Sequence, residues 1–387
     1  MIGGSVGLVA VALDVSAVPA QPAGAGRYVI ELAKALALGD KCGLTLLTRR
    51  DDAGRWEQIA PGKRVRAVVP ARRPVRLFYE QARLASVVGD LRSPPIAVHH
   101  GPHYTMPRRS RVPCVVTVHD MTFFDHPEWH ERSKVAWFRA AMGYSVRHAA
   151  ALVCVSESTA GRLRKILSPR CPVAVVPHGV DHARFVPEEP RAGADREVLR
   201  NLRLDRPYVL HLGTIEPRKG IGDLVAAFDM LASDHPDLDL VLAGGVGWKA
   251  DATLEAVSTA RASGRIRLLG FAADSSVPTL VRRARAVVYP SLEEGFGLPA
   301  LEALACGTPL VTTSGTAMAE LAGDSALLVP PAEARELAAA IESALVSGTS
   351  LEATRRRASG IEVAARYTWQ ACAERHLEVY RLAAGAL

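Results

Sequence analysis

The sequence is sparing in several features that would have fixed its class at once. Aromatic residues make up only 5% of the 387 positions. The six cysteines (42, 114, 154, 171, 306 and 372) form no CxxC pair and no Cys/His metal spacing, so reduced thiols are the expectation and neither a metal centre nor a disulfide framework is. No apolar run reaches the roughly 18 residues that a bilayer-crossing helix needs. The 31 glycines and 25 prolines follow no period, which excludes a collagen-like chain. The absence of a 20–50-residue repeat argues against a solenoid. No Lys or Arg precedes the opening apolar run and Asp14 closes it; Val6–Leu13 therefore reads as a first strand, not an export signal. These features together predict a cytoplasmic chain.

What is present is a regular alternation. Short β-branched runs recur between helical stretches. In the first half they are Val6–Leu13, Leu44–Thr48, Val65–Val69, Ile96–His99, Cys114–His119, Leu152–Val155 and Val173–Val176. In the second they are Tyr208–Leu212, Leu238–Ala243, Ile266–Leu269, Ala286–Tyr289, Pro309–Thr313 and Ala326–Val329. Apolar strands separated by helices mean parallel sheets covered on both faces. Two such series predict two doubly wound α/β domains facing across a cleft. Residues 1–184 are expected to form the first, 185–206 a polar linker, 207–366 the second, and 367–387 a final amphipathic helix crossing back to the first.

Charge divides the same way. Residues 1–190 hold 26 Lys/Arg against 16 Asp/Glu, a balance of +10, and residues 191–387 a balance of −3. The basic half suits a phosphate-rich partner or an anionic membrane face, or is a solvated surface. No basic motif interleaved with aromatics is present, so nucleic acid is not an expected partner. The arginines at 282, 283 and 285 read as a solvated helix face.

Ligands of doubly wound sheets bind outside the carboxyl ends of the strands, so the loops that follow the strands matter most. After Tyr289 come Glu294-Gly-Phe-Gly-Leu-Pro and then Glu302. Gly295 and Gly297 permit a tight approach of the backbone, and Pro299 suits a first helical position. The amides of Gly295, Phe296, Gly297 and Leu298 would then cradle phosphate, with Glu294 at the reacting end of a ligand and Glu302 further along it. After Leu212 come Gly213-Thr-x3-Arg218-Lys219, two cations placed to take the growing charge of a leaving diphosphate. Gly24-Ala-Gly26-Arg-Tyr28 lacks the third glycine of a dinucleotide fingerprint and lies ten residues from its strand, which excludes a dehydrogenase site. It reads either as a loop touching phosphate or as a plain helix start. His119-Asp120 after Val118, and His103 after the fourth strand, are candidate substrate contacts. Phe271, at the end of the Ile266 strand, lies in a loop suited to a nucleobase.

The run Glu294-Gly-Phe-Gly-Leu-Pro with Glu302, together with Gly213-Thr-x3-Arg-Lys, His119-Asp120 and His178-Gly-Val-Asp181, resembles glycosyltransferase family 4, the retaining nucleotide-sugar enzymes of the GT-B fold, over nearly the whole chain. Gly24-Ala-Gly-Arg-Tyr28, Tyr79-Glu-Gln81, Pro127-Glu and Ser156-Glu-Ser resemble bacterial mannosyltransferases of polysaccharide assembly. The resemblance implies a transfer of hexose, mannose favoured, from a nucleotide diphosphate sugar such as GDP-mannose to a glycan or lipid-linked acceptor, with no metal and no other cofactor. It implies that Arg218 and Lys219 bind the diphosphate, Glu294 the sugar, Glu302 the ribose, and that His119 lies by the sugar while Gly24 and Gly26 lie near the diphosphate. Gly213, Phe271 and the amides of 295–298 complete the donor set. Asp120, His103 and Tyr28 are the acceptor candidates. Other GT-B chemistry, such as a nucleotide-sugar epimerase, and a non-catalytic nucleotide-binding protein are the alternatives. Two departures stand out: Ala23 precedes Gly24 where many relatives have glycine, and Gly220 follows Lys219 where many have asparagine.

Overall fold

The computed structural model describes residues 8–91, 95–346 and 350–385. Val6 and Gly7 of the expected first strand, and the last two positions of the expected final helix, lie outside this range. The chain forms two compact units. Unit 1 comprises residues 1–127, 131–179 and 369–387; unit 2 comprises 128–130 and 180–368.

Unit 1 is a seven-stranded parallel sheet. Its strands are β1 (Val9–Asp14), β2 (Cys42–Arg49), β3 (Arg64–Val69), β4 (Val98–Gly101), β5 (Cys114–Val118), β6 (Ala151–Cys154) and β7 (Val173–Val175), in the order β3-β2-β1-β4-β5-β6-β7. Residues Val9 to Leu13 are all buried, as a strand covered on both faces requires. On one face lie the helices Gly24–Leu38 and Trp369–Ala384. The first buries Tyr28, Val29, Leu32, Ala33 and Leu36, and the second Cys372, Ala373, His376, Leu377 and Tyr380; both sets recur at helical spacing. They pack with Val11, Leu13 and Val98. Ala12, Leu47, Leu84 and Val88 form a separate core on the other face.

Unit 2 repeats the plan with six parallel strands: β8 (Tyr208–Leu212), β9 (Asp239–Ala243), β10 (Ile266–Gly270), β11 (Ala286–Tyr289), β12 (Leu310–Thr313) and β13 (Leu327–Val329), in the order β10-β9-β8-β11-β12-β13. In both sheets the strand order reverses once, between β1 and β4 and between β8 and β11. Crevices for ligands open at such points.

Three expectations need correction. The segment 185–206 is no bare linker. It contains the helix Ala194–Asn201, and Asp195 inside it receives two hydrogen bonds from the Arg282 guanidinium at 2.9 and 2.8 Å and one from Thr279 Oγ1 at 2.9 Å. Arg282 is therefore buried in an ion pair instead of lying on a solvated face. Its Nη1 also donates to the Val186 carbonyl at 3.0 Å. Burial pushes the Asp195 carboxyl up, but the bonds from Arg282 and Thr279 outweigh it and hold the group below its usual range. The segment thus belongs to unit 2, despite its polar composition, because its one buried acid has a buried partner. The first unit likewise ends at Gly179, not at 184: the Val180 amide donates to the Tyr367 carbonyl at 3.1 Å, and Arg184 pairs with Asp274 at 2.9 Å, both within unit 2.

Candidate active site

In unit 2, the loops after β8 and β11 bring together residues 75 positions apart in sequence. Lys219 Nζ donates to Glu294 Oε2, and Arg218 Nη1 lies 3.6 Å from the same oxygen. Arg218 Nε pairs with Glu216 at 2.7 Å, and the Leu292 amide donates to the Arg218 carbonyl at 2.8 Å, tying one loop to the other. Burial pushes the Glu294 carboxyl up, but the charges of Lys219 and Arg218 more than offset it, so Glu294 stays below the usual carboxylate range. Lys219 is buried and lowered, first by desolvation and then by Arg218, against the attraction of Glu294. The result is a compact, charge-compensated cluster with its cations held in place.

Glycine makes this closeness possible. Gly220 has φ 62°, and a Cβ there would fall 2.1 Å from the Pro290 carbonyl oxygen. The departure from asparagine at this position is therefore a packing requirement of these two loops. Gly297 has φ 94° and caps the helix Leu298–Ala305; a Cβ there would fall 2.2 Å from Met318 Cγ. Pro299 occupies the second helical position, not the first, and has no amide hydrogen. The Ala300 and Leu301 amides turn back to the Gly297 carbonyl at 3.0 and 3.2 Å. The amides of Gly297 and Leu298 are thus the donors this turn presents. The Phe296 ring is buried, 6.2 Å from the Tyr367 ring. Glu302 is buried one turn into the helix; burial, and then the charges of Glu302 and Glu294, raise the Tyr289 phenol. Gly213 follows β8, with its amide bonded to the Ala243 carbonyl at 2.9 Å. Phe271 lies away from the cluster, exposed after the edge strand β10.

Sequence reasoning missed Glu216, although it stands inside the quoted run. It also missed His211, whose Nδ1 donates to the Val288 carbonyl at 3.0 Å and whose Nε2 is buried without a partner. Burial brings this imidazole down to about 4. It underlies the loop as a neutral group, 3.5 Å from where a Cβ on Gly213 would sit.

In unit 1, His119 follows β5. Its Nε2 lies 2.7 Å from the Pro102 carbonyl oxygen. A carbonyl only accepts, so Nε2 carries the hydrogen and Nδ1 is the acceptor of the neutral ring. Burial holds the ring neutral, against the smaller opposing effects of Pro102 and Asp120. The His103 ring lies 5.5 Å from it. Asp120 Oδ1 accepts from the amide and hydroxyl of Thr122 at 3.1 and 2.8 Å, so this carboxylate holds a turn. Gly24 and Gly26 open the helix Gly24–Leu38; its cap residue Ala23 offers no side-chain bond to the first turn. One candidate needs correction. Tyr28 is fully buried, and its hydroxyl bonds Thr117 Oγ1 at 2.9 Å and His376 Nε2 at 2.8 Å. It fastens the C-terminal helix to the sheet and does not reach an acceptor.

Two parallel Rossmann-like sheets with a cation pair and a carboxylate at the second strand-order reversal define a GT-B glycosyltransferase. Residues 22–184 match Glycosyltransferase Family 4, and residues 196–360 match Glycosyl transferases group 1. O-antigen chain mannosyltransferase B of Escherichia coli is 30% identical over 287 residues, covering 74% of each chain. The chain belongs to this glycosyltransferase family. Among solved structures, sucrose-phosphate synthase from Thermosynechococcus elongatus superposes with a TM-score of 0.76 at 21% identity, covering 96% of this chain and 98% of that one. HepE of Anabaena in complex with UDP-glucose superposes with a TM-score of 0.75 at 19% identity, over 96% and 98% of the two chains. These likenesses carry the fold.

Proposed function

We propose that the protein transfers mannose from a nucleotide diphosphate sugar, GDP-mannose favoured, to a glycan or lipid-linked acceptor, with retention of configuration and without a metal ion. The observation that carries this reading is the Arg218–Lys219–Glu294 cluster at the reversal between β8 and β11. The Escherichia coli mannosyltransferase at 30% identity supports the choice of sugar. Arg218 and Lys219 take the diphosphate and supply the positive charge that a metal supplies elsewhere. Glu294 passes from its lysine to the sugar hydroxyls. The amides of Gly297 and Leu298 and the carboxylate of Glu302 hold the rest of the donor. Neutral His119 has an acceptor nitrogen for a sugar hydroxyl.

In the reaction, the bond between the anomeric carbon and the diphosphate oxygen breaks and the oxygen keeps the electron pair. The acceptor hydroxyl oxygen forms the new bond on the same face, and its proton goes to the departing diphosphate. The products are a nucleoside diphosphate and a glycoside.

The test is a panel of GDP-mannose, UDP-glucose, UDP-GlcNAc, ADP-glucose and dTDP-rhamnose with the purified protein in excess EDTA. The melting temperature, the release of nucleoside diphosphate and the anomeric configuration of the product by NMR are read. Stabilisation and turnover with GDP-mannose alone, giving an α-linked product, is the expected result. Preference for another donor, inversion, or turnover lost in EDTA overturns the corresponding part.

A further inference from the structure

The strand order of unit 1 also reverses, between β1 and β4, and a second polar cluster stands there that the donor site does not use. Asp14 ends β1. Its Oδ1 accepts from the Ser16 amide at 3.0 Å, and the Ser16 hydroxyl donates to Glu80 Oε1 at 3.2 Å. Glu80 comes from the helix Arg73–Ala82, of which it is the one buried residue. Arg76 Nε lies 3.4 Å from Glu80 Oε1, and Arg76 Nη1 donates to the Ser16 carbonyl at 3.2 Å. Arg49, at the end of β2, donates to that carbonyl at 3.1 Å. His103, in the loop after β4, is lowered to about 3 by burial first, and then by the neighbouring His119 ring and the Arg76 guanidinium. Its Nε2 is buried without a partner.

A second feature points to a ligand. His99 of β4 is 1% exposed, and neither ring nitrogen has a partner. It is in register with Ala12 of β1, two residues before Asp14. Side chains alternate along a strand, so the His99 imidazole lies on the same side of the sheet as Asp14. Buried polar atoms are as a rule hydrogen-bonded, and both ring nitrogens of His99 and Nε2 of His103 are not.

We propose that Asp14, positioned by Ser16 and Glu80, binds a hydroxyl of the acceptor glycan at the carboxyl end of β1. This deepens the transferase reading above and rests on it. The chemistry selects the ligand. The Arg76 guanidinium on Glu80 occupies the place a cation would take. Burial and then the Asp14 charge push Glu80 up to about 8, so near neutrality the pair keeps a proton and offers both a donor and acceptors. That is what a neutral alcohol needs. Asp14 is the partly exposed member and meets the ligand; Glu80, closed off behind it, is a positioning residue.

The acceptor probe is methyl α-D-mannopyranoside, which carries hydroxyls and no charge. Wild type, Asp14→Asn, Glu80→Ala and Glu80→Gln are compared with the donor identified by the panel. Asp14→Asn and Glu80→Ala are expected to raise the KM for the probe about tenfold or more, equivalent to the loss of about one hydrogen bond. Donor hydrolysis by water, donor KM and melting temperature stay within twofold or two degrees. Glu80→Gln, which keeps the protonated shape, restores the KM to within about threefold. Unchanged KM in Asp14→Asn overturns the proposal, as does a parallel fall in donor hydrolysis and melting temperature, which marks a structural role. Saturation-transfer NMR of the probe without any donor decides the site independently. Signal from wild type and not from Asp14→Asn supports it; equal signal, or none from either, overturns it. If no donor is turned over by wild type, the transferase reading fails, and the NMR comparison still settles the hydroxyl site.

Discussion

The two units share a strand order and solve opposite electrostatic problems. Unit 2 keeps its polar groups charged and pairs them: Lys219 and Arg218 with Glu294, Arg218 with Glu216, Arg282 with Asp195. Unit 1 has ion pairs of its own, such as Arg49 with Asp52 and Arg162 with Asp125, but it keeps its buried imidazoles neutral. His99, His100, His103, His119, His178 and His376 are all lowered by burial, and Glu80 is raised. The difference fits the ligands proposed for each. A diphosphate needs fixed cations, whereas an acceptor hydroxyl needs donors and acceptors without net charge. Substitutions that remove one charge should therefore be severe in unit 2 and mild in unit 1.

The largest effect is expected at Arg282. Arg282→Met leaves Asp195 buried without its partner, which costs about 3–5 kcal/mol. Differential calorimetry should show the melting of unit 2 fall while that of unit 1 stays. A double variant Arg282→Met/Asp195→Leu should recover most of the loss. Failure to recover it would mean that packing, not charge, holds the segment 185–206.

Next comes Glu294. Glu294→Gln removes the contact proposed for the transition state and should lower kcat by about 10²–10³-fold. It also takes away the one nearby charge that raises Lys219 most, so the lysine falls further below its ordinary value. Donor affinity should then decline with rising pH earlier than in wild type. A kcat within threefold of wild type removes Glu294 from the chemistry.

The contrast between the units also explains what could be read without coordinates. The strands among the described residues follow from short apolar or β-branched runs; the central ones, such as β1, β5, β9 and β11, are buried throughout or nearly so and leave the clearest mark, while edge strands such as β3 and β10 are partly exposed. The Arg218–Lys219–Glu294 cluster follows from two short strings, since a β-strand delivers its next few residues to one place. Charges that work across loops are as readable as the loops. The unit 1 cluster is different. Asp14, Ser16, Glu80, Arg76 and His99 come from a strand end, a helix and another strand, and no local string joins them. Tyr28 misled for a related reason: it sits in a glycine-flanked motif, yet a helix start fixes only which face is inward. Its partners Thr117 and His376 lie 89 and 348 residues away. Arg282 looked like a solvated cation because only the fold supplies Asp195.

Gly297 tests how finely the donor turn is made. At φ 94° with Met318 against it, Gly297→Ala is strained in backbone and in space, at about 1–3 kcal/mol. Met318→Ala on top of it removes the steric part and keeps the dihedral part. The donor KM should rise in the single variant and return partway in the double. A full return would assign the whole cost to Met318.

The smallest effect should sharpen the comparison most. Glu80 has a folded value raised to about 8, above the ordinary carboxyl value of about 4.3. A raised acid binds its proton more tightly when folded, so its contribution to stability is complete below pH 4 and is lost as pH climbs through about 8. Wild type should therefore lose stability of unit 1 between pH 5 and 8.5 relative to Glu80→Gln, which has no proton to lose. At pH 5.5 the two proteins should melt within a degree or two of each other; at pH 8.5 the glutamine variant should be the more stable. Arg76→Met should steepen the wild-type loss, because it removes the cation that opposes the rise. A difference between wild type and Glu80→Gln that stays flat across this range would mean that Glu80 is ionised throughout, and that unit 1 holds a charged pair as unit 2 does.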